Sequence, residues 1–355
     1  MKNIYALVDC SLPINTRNQK IIDTIKHYNP NAEIHIITWS REGKAIEPNQ
    51  YLHVYNRIAP YADVKAKLQG MLGFKKYIGE SLERINPEVI IASQWSNLVL
   101  VSGFKKNNQI LIYENLDIPT EGPLIRFISQ CLERRSLRKV DLIIHASRFF
   151  RSLYKQNIAQ VILENKPLFS PKEKIAPLGN PLKIAFIGSI RYKDILMNLV
   201  DAVKDCENYE LYFHGSGEDL PEMKEYCKNY RNVFFTGPYK HSDVINLYHN
   251  SDIVWAGYPN KDYNVVYAIS NKFHESIYTG VPCIFSINTE LATLVKNENI
   301  GFVVDPYNPN EIKRLLKNIS DGSINIDDVK ESLKKYLKNE TTWDDDFKEV
   351  LKYLE

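Results

Sequence analysis

The sequence predicts an α/β protein of two lobes, each a parallel sheet wrapped by helices, and three observations carry that reading. Short runs of Ile, Val and Leu recur between amphipathic stretches in both halves of the chain, as parallel strands buried on both faces and joined by helical crossovers require. A polar interval rich in proline divides the two sets of runs. The length, 355 residues, exceeds what one compact core accommodates and suits two domains of ordinary size.

Taken in order, the strands of the first lobe fall at residues 4–8, 34–38, 89–93, 110–113, 142–145 and 161–163. After Asn165 the prolines at 167, 171, 177 and 181, with the polar residues between them, sustain neither helix nor sheet. The link between domains is placed there, Ala176 included. Strands resume at residues 184–188, 211–215, 233–237, 253–256, 283–286 and 301–304. A short helix is expected over residues 271–279, stopped by Gly280 and Pro282. Near the end, Val329, Leu333, Tyr336 and Leu337, then Trp343, Phe347, Val350, Leu351 and Leu354, fall at helical spacing and predict two helices with a break around residues 340–342.

Composition excludes several classes. With 44% hydrophobic and 25% charged residues the chain is globular, and no stretch reaches the roughly 20 apolar residues of a membrane-spanning helix. The apolar run after Asn3 is cut at Asp9, too short for a signal-peptide core, and reads as a first strand. Five cysteines (Cys10, Cys131, Cys206, Cys227 and Cys283) show neither a Cys-x-x-Cys pair nor zinc spacing, which fits a reducing cytosol and no structural metal. The net charge of +2 conceals an asymmetry: 23 Lys+Arg against 15 Asp+Glu in residues 1–170, and 22 against 28 beyond. Either the first half faces something anionic, such as a membrane, a nucleic acid or a phosphorylated substrate, or the imbalance is a chance of the surface.

Doubly wound sheets bind ligands beyond the carboxyl ends of their strands, and two such lobes are expected to face a central cleft. The segment 253–286 is the most informative. Its loop leads into the helix at 271–279, where the backbone amides of Ala268, Ile269, Ser270 and Asn271, with Lys272, form an anion site suited to a diphosphate. Glu275, one turn on, is placed to accept hydrogen bonds from the vicinal hydroxyls of a ribose. A surface helix with a solvated Glu and Lys is the plainer reading of the same letters. Gly188 permits a sharp turn at the end of its strand, and Arg191 and Lys193 follow where a phosphate would lie. The turn His214-Gly215-Ser216-Gly217 lacks the third glycine of a dinucleotide fingerprint, and neither a phosphate-binding loop with Gly-Lys-Ser/Thr nor a Gly-x-Ser-x-Gly elbow occurs. NAD-dependent, ATPase and serine-hydrolase readings are disfavoured.

In this order, FIGSIRYKD, LYFHGSGED, VFFTGPYKHSDVINLYHNSDIVWAGY, YAISNKFHESIYTGVPCI and GFVVDPYNPNEI resemble the donor-binding lobe of a GT-B glycosyltransferase, most similar to the retaining family 4 group, over roughly residues 180–320. Trp343 resembles the aromatic residue that opens the terminal helix crossing back to the first lobe. The resemblance implies two Rossmann-like domains: an acceptor domain at 1–170 and a donor domain at 171–340, with a terminal helix at 341–355 packing on the first. It also implies a nucleotide diphosphate sugar as donor, UDP-sugar ahead of GDP-sugar, with no further cofactor, no metal and retention of configuration. Glu275 matches the second acid of the family's Glu-x7-Glu motif, which binds the ribose. Arg191 and Lys193 fall near the pair holding the diphosphate, and residues 268–270 match the loop whose amides receive it. The chain departs at Tyr267, where the family has the acid that contacts the donor sugar, so the sugar stays open.

In the first lobe, Asn15 and Arg17 open a helix where the family often has a glycine pair; they either touch phosphate or acceptor, or serve a capped surface helix. Glu114 and Asp117 end a strand and could orient an acceptor hydroxyl or form an ordinary acidic loop. Two stretches are basic: residues 65–77, with Met71, Leu72 and Phe74, and residues 125–139, with Arg126, Arg134, Arg135, Arg138 and Lys139. Such helices suit an anionic membrane surface, or simply a charged outer face. No nucleic-acid-binding motif or continuous aromatic-lined basic track is present. The expected function is transfer of a sugar to a hydroxyl of a glycan or lipid-linked glycan, as in bacterial surface polysaccharide synthesis, in the cytoplasm or peripherally at the inner membrane face. The alternatives are a nucleotide-sugar epimerase or hydrolase on the same fold, and a silent nucleotide-sugar-binding partner of another transferase.

Overall fold

The computed structural model describes residues 1–41, 47–59, 64–119, 122–174 and 177–355; Ala176 of the expected link lies outside them. The chain forms two units, Met1–Glu164 with Thr342–Glu355, and Asn165–Thr341.

The first unit runs β1 (Ile4–Asp9), α1 (Thr16–Tyr28), β2 (Glu33–Ser40), β3 (Leu52–Asn56), α2 (Val64–Ile85), β4 (Val89–Ser93), α3 (Trp95–Val101), β5 (Ile110–Asn115), α4 (Pro123–Ser136), β6 (Leu142–His145) and β7 (Ala159–Ile162). Its seven strands lie in the order β3-β2-β1-β4-β5-β6-β7, all parallel. β1 shows why the run of apolar letters was needed. Alternate side chains point to opposite faces, so Tyr5 and Leu7 pack with Ile21 and Ile25 of α1, while Ala6 and Val8 pack with Phe74 and Ile78 of α2. Phe74 is thus a core residue and not part of an exposed membrane-facing stretch, and the side chains of Lys65 and Lys67 lie outside the described residues. β3 is absent from the sequence reading. It pairs with β2 alone at the edge of the sheet, where a strand with few apolar residues suffices.

The second unit runs β8 (Leu182–Ile187), α5 (Lys193–Val203), β9 (Tyr209–His214), α6 (Leu220–Cys227), β10 (Val233–Gly237), α7 (Val244–His249), β11 (Ile253–Ala256), α8 (Tyr263–Tyr267), α9 (Asn271–Thr279), β12 (Cys283–Ser286), α10 (Glu290–Glu298), β13 (Phe302–Val304), α11 (Pro309–Ser320) and α12 (Ile326–Asn339). Its sheet, in the order β10-β9-β8-β11-β12-β13, is also parallel throughout. The segment read as a link is fastened to this unit: the amides of Lys172 and Lys174 donate to the carbonyls of Tyr278 and Thr279, and the Lys174 ammonium pairs with Asp252 at 2.8 Å. The second unit accordingly begins at Asn165.

The last helix, α13 (Trp343–Leu351), belongs to the first unit. Thr342 and Asp345 form its capping box, and Trp343, Phe347, Val350 and Leu354 join the core on the α1 side of the sheet. The Trp343 indole donates to Thr24 Oγ1 at 2.9 Å, and Leu354 O accepts from the Lys2 amide at 2.8 Å.

Two outcomes follow for the first unit. Trp343→Ala removes a side chain only 1% exposed and should cost about 3–5 kcal/mol in urea unfolding. His145, buried at the end of β6, accepts at Nδ1 from Asn115 (3.1 Å) and donates from Nε2 to Gln160 (2.9 Å), which requires a neutral ring. Burial pushes its pKa down from 6.5 to about 4. The stability tied to this ring is present above pH 6.5 and lost as pH falls toward 4. His145→Gln should therefore lessen the acid sensitivity of unfolding between neutral pH and pH about 5 by on the order of 1–2 kcal/mol.

Candidate functional site in the second unit

The carboxyl ends of β8, β9 and β11 collect the residues that matter. β8 gives way to Gly188, whose φ of +146° favours glycine; a Cβ there would lie 3.3 Å from Lys272 Nζ. Gly215, after β9, has φ +138°, and its Cβ would lie 1.9 Å from the carbonyl oxygen of Gly188. The two connections pack backbone to backbone because neither carries a side chain.

Lys272 is the second residue of α9, which Ser270 caps by accepting from the Lys272 amide at 3.3 Å. Its side chain is buried. The ammonium donates to the Tyr258 hydroxyl at 2.9 Å and sits 5.1 Å from the Phe186 ring centre. Burial alone would lower the Lys272 pKa, but Tyr258, followed by Glu275 and Tyr239, outweighs it and holds the group above its ordinary value. Burial alone would likewise raise Tyr258; Lys272, then Ser270 and Arg191, bring it below the usual phenol range. A buried cation resting on phenols and aromatic faces is a group prepared for an anion.

The backbone nearby divides. The Ala268 amide donates to Asn264 O at 2.8 Å and so closes α8, contrary to the expectation that it is available for phosphate. The amides of Ile269, Ser270 and Asn271 have no acceptor among the described residues, as at any helix start. The Asn271 side chain accepts from Asn165 at 3.1 Å. One turn further, the half-buried Glu275 accepts through Oε2 from the Tyr248 hydroxyl at 2.8 Å. Burial, with the Glu275 charge, holds the Tyr248 pKa well above its ordinary value, so that hydroxyl stays a donor.

Arg191 and Lys193 go different ways. Arg191 is exposed, its guanidinium 4.9 Å over the Tyr192 ring, and Tyr192 meets Tyr258 edge-on at 6.3 Å. Lys193 opens α5 after left-handed Tyr192 (φ +66°). Its amide donates to Asp219 at 2.9 Å and its ammonium pairs with Glu222. The structure thus gathers Gly188, Lys272, Glu275 and the three amides, brings Arg191 to their margin, and holds Lys193 on α6. Tyr267 ends α8, edge-on to Tyr263 at 5.3 Å. Tyr258, Tyr248 and Tyr239 were missed by the sequence reading; the signal available for Tyr258 was its place just past the end of β11.

In the first unit Asn15 caps α1 by accepting from the Asn18 amide (2.8 Å) and donates to Asp9 (3.0 Å). Arg17, 6% exposed, donates through Nε to Glu114 at 2.7 Å and lies 5.5 Å over the Trp343 ring. The other Glu114 oxygen accepts from Ser93 at 2.8 Å. Glu114 is therefore no exposed carboxylate beside Asp117: it turns inward to Arg17, and only Asp117 is exposed. Burial pushes the Glu114 pKa up, against the pull of Arg17.

Two α/β units, each with a parallel sheet, define a Rossmann-like class of fold, and the second gathers a buried cation, open helix-start amides and a carboxylate one turn on at its carboxyl edge. Residues 170–340 match the family Glycosyl transferases group 1, so the second unit is similar to the glycosyltransferases of that group. Solved structures agree on the fold. The sucrose-phosphate synthase of Thermosynechococcus elongatus is 12% identical, with a TM-score of 0.74 over 99% of both chains. Anabaena HepE, solved with UDP-glucose, is 14% identical, with a TM-score of 0.69 over 99% of both. The lipopolysaccharide outer core galactosyltransferase WaaB is 12% identical, with a TM-score of 0.65 over 99% of this chain and 100% of its own. No curated protein matches the sequence.

Gly215→Ala tests the backbone packing: strain at positive φ together with the clash on Gly188 O should destabilise the second unit by about 1–3 kcal/mol in denaturant titration. An unchanged midpoint would mean that the two connections are not in contact.

Proposed function

We propose that the second unit binds a nucleoside diphosphate sugar, UDP-sugar ahead of GDP-sugar, and that the chain transfers the sugar to a hydroxyl of a glycan or lipid-linked glycan, as in surface polysaccharide synthesis. The observation that carries this reading is the Lys272 ammonium, buried with no carboxylate in contact among the described residues, beside three amides without an acceptor among them and one helical turn from Glu275. The amides and Lys272 take the diphosphate, and Arg191 adds charge from the margin. Glu275, held by Tyr248, takes the ribose hydroxyls. As the bond from sugar to phosphate breaks, negative charge grows on the leaving diphosphate. Donors already in place stabilise it without reorganising, the role a divalent metal plays elsewhere. Lys193 joins this set on exchanging Glu222 for phosphate. Transfer then proceeds with retention, and Tyr267, where an acid is expected, shapes the sugar pocket by contact instead of charge. On the acceptor side we assign Asp117 to the acceptor hydroxyl, and Asn15, Arg17 and Glu114 to holding the frame around it.

Tyr267 also favours one second reading, a silent nucleotide-sugar binder. Calorimetry with UDP and GDP, UDP-glucose and other sugar nucleotides separates the cases. Glu275→Ala should weaken nucleotide binding at least about tenfold by removing charge-assisted hydrogen bonds, and Lys272→Ala should weaken diphosphates far more than the free nucleoside. Unchanged affinity in both would overturn the donor-site assignment. Tight binding with no donor consumption over a panel of glycan acceptors would leave the silent reading.

A further inference from the structure

Helix α4 is built inside out. Over its 14 residues the side chains turned into the protein are polar: Ser129, Glu133 and Ser136 are buried. Glu133 accepts from the hydroxyls of Tyr113 and Tyr154 at 2.8 and 2.7 Å, and Ser136 accepts from Ser102 at 3.1 Å. The side chains turned out are large and apolar: Leu124 is 72% exposed, Ile125 56%, Phe127 63%, Ile128 51% and Leu132 44%. No rotation of the helix repairs this, because it would tear Glu133 from two buried hydroxyls. Single exposed apolar residues are ordinary; five on one helix form a patch of the kind that marks an interaction site.

We propose that α4 docks this protein onto an anionic membrane surface. What covers the patch must satisfy both its parts. The apolar stripe ends in exposed Arg134 and Arg135, followed at once by exposed Arg138 and Lys139. The only carboxylate between residues 122 and 139 is Glu133, and it faces inward. A second copy of the same face would bring more cations and no acid to meet them. A bilayer containing anionic lipid supplies both halves, the acyl boundary for Leu124, Phe127 and Ile128 and lipid phosphates for the arginines. At about 1.5 Å per residue the helix is too short to cross a bilayer and would lie in its plane. Among the described residues no helix is long and apolar enough to span. The docking rests on α4 alone and not on the donor-site assignment, and its test reads no catalysis.

The full chain is sedimented with vesicles of phosphatidylcholine, alone or mixed with phosphatidylglycerol. Binding to the mixed vesicles should be at least about tenfold stronger and should weaken with added salt. Phe127→Glu with Ile128→Glu should cut it by at least about tenfold, and Arg134→Ser with Arg135→Ser should remove most of the preference for anionic lipid. An environment-sensitive fluorophore on the exposed Cys131 of the otherwise unaltered chain should shift to the blue with mixed vesicles, which keeps the test valid if a variant folds poorly. Absence of vesicle binding, or binding that neither moves the probe nor responds to the glutamates, would overturn the proposal. So would concentration-dependent dimerisation in solution that the glutamates abolish, which would give the face to a second copy.

Discussion

Every strand pairing in both sheets is parallel, and the placement of polar residues depends on that constraint. A parallel strand must be followed by a crossover, so each sheet delivers all of its strand ends to one edge. Both faces of each sheet are then packed, and the apolar runs leave the carboxyl edge as the place where polar side chains accumulate. In the first unit Asp9, Ser93, Glu114 and His145 stand at the ends of β1, β4, β5 and β6, all buried and hydrogen-bonded. In the second, Gly188, Gly215 and Tyr258 stand beyond the ends of β8, β9 and β11.

The two edges resolve their buried charge differently. Arg17 meets Glu114 directly through Nε and braces α1 against β5, while its two terminal guanidinium nitrogens are buried without a hydrogen-bond partner among the described residues. Among the described residues, the Lys272 ammonium meets the hydroxyl of Tyr258 and the faces of aromatic rings. A cation held that way is neutralised incompletely, and desolvation makes the remaining demand for an anion strong. On α4, buried hydroxyls hold Glu133 inward and leave the apolar arc to solvent.

Much of this was legible in the letters. Strand runs, the helix at 271–279 with its glycine stop, and the terminal pair of helices depend on local periodicity and capping, which one segment carries by itself. Gly188, Lys272 and Glu275 were picked out because their types and spacing have a chemical meaning even when unfolded, and the structure places them near one another. Lys193 and Glu114 show the limit. Each was placed by its position after a strand, yet each is held by a residue distant in sequence, Glu222 and Arg17. β3 was missed because an edge strand needs little apolar patterning, and the attachment of Lys172 and Lys174 to α9 because it is made by hydrogen bonds between segments distant in sequence.

The sequence by itself determined the architecture, two parallel α/β units, and the residue types at the carboxyl edge of the second, since periodicity, turn glycines and helix caps act over a few neighbouring residues. Only the tertiary structure decided which group each buried cation meets and which face of α4 is exposed. Those outcomes turn on partners brought together from far along the chain, Tyr258 for Lys272, Tyr248 for Glu275, and Tyr113 and Tyr154 for Glu133, and burial fixes such pairings only once the sheets have formed.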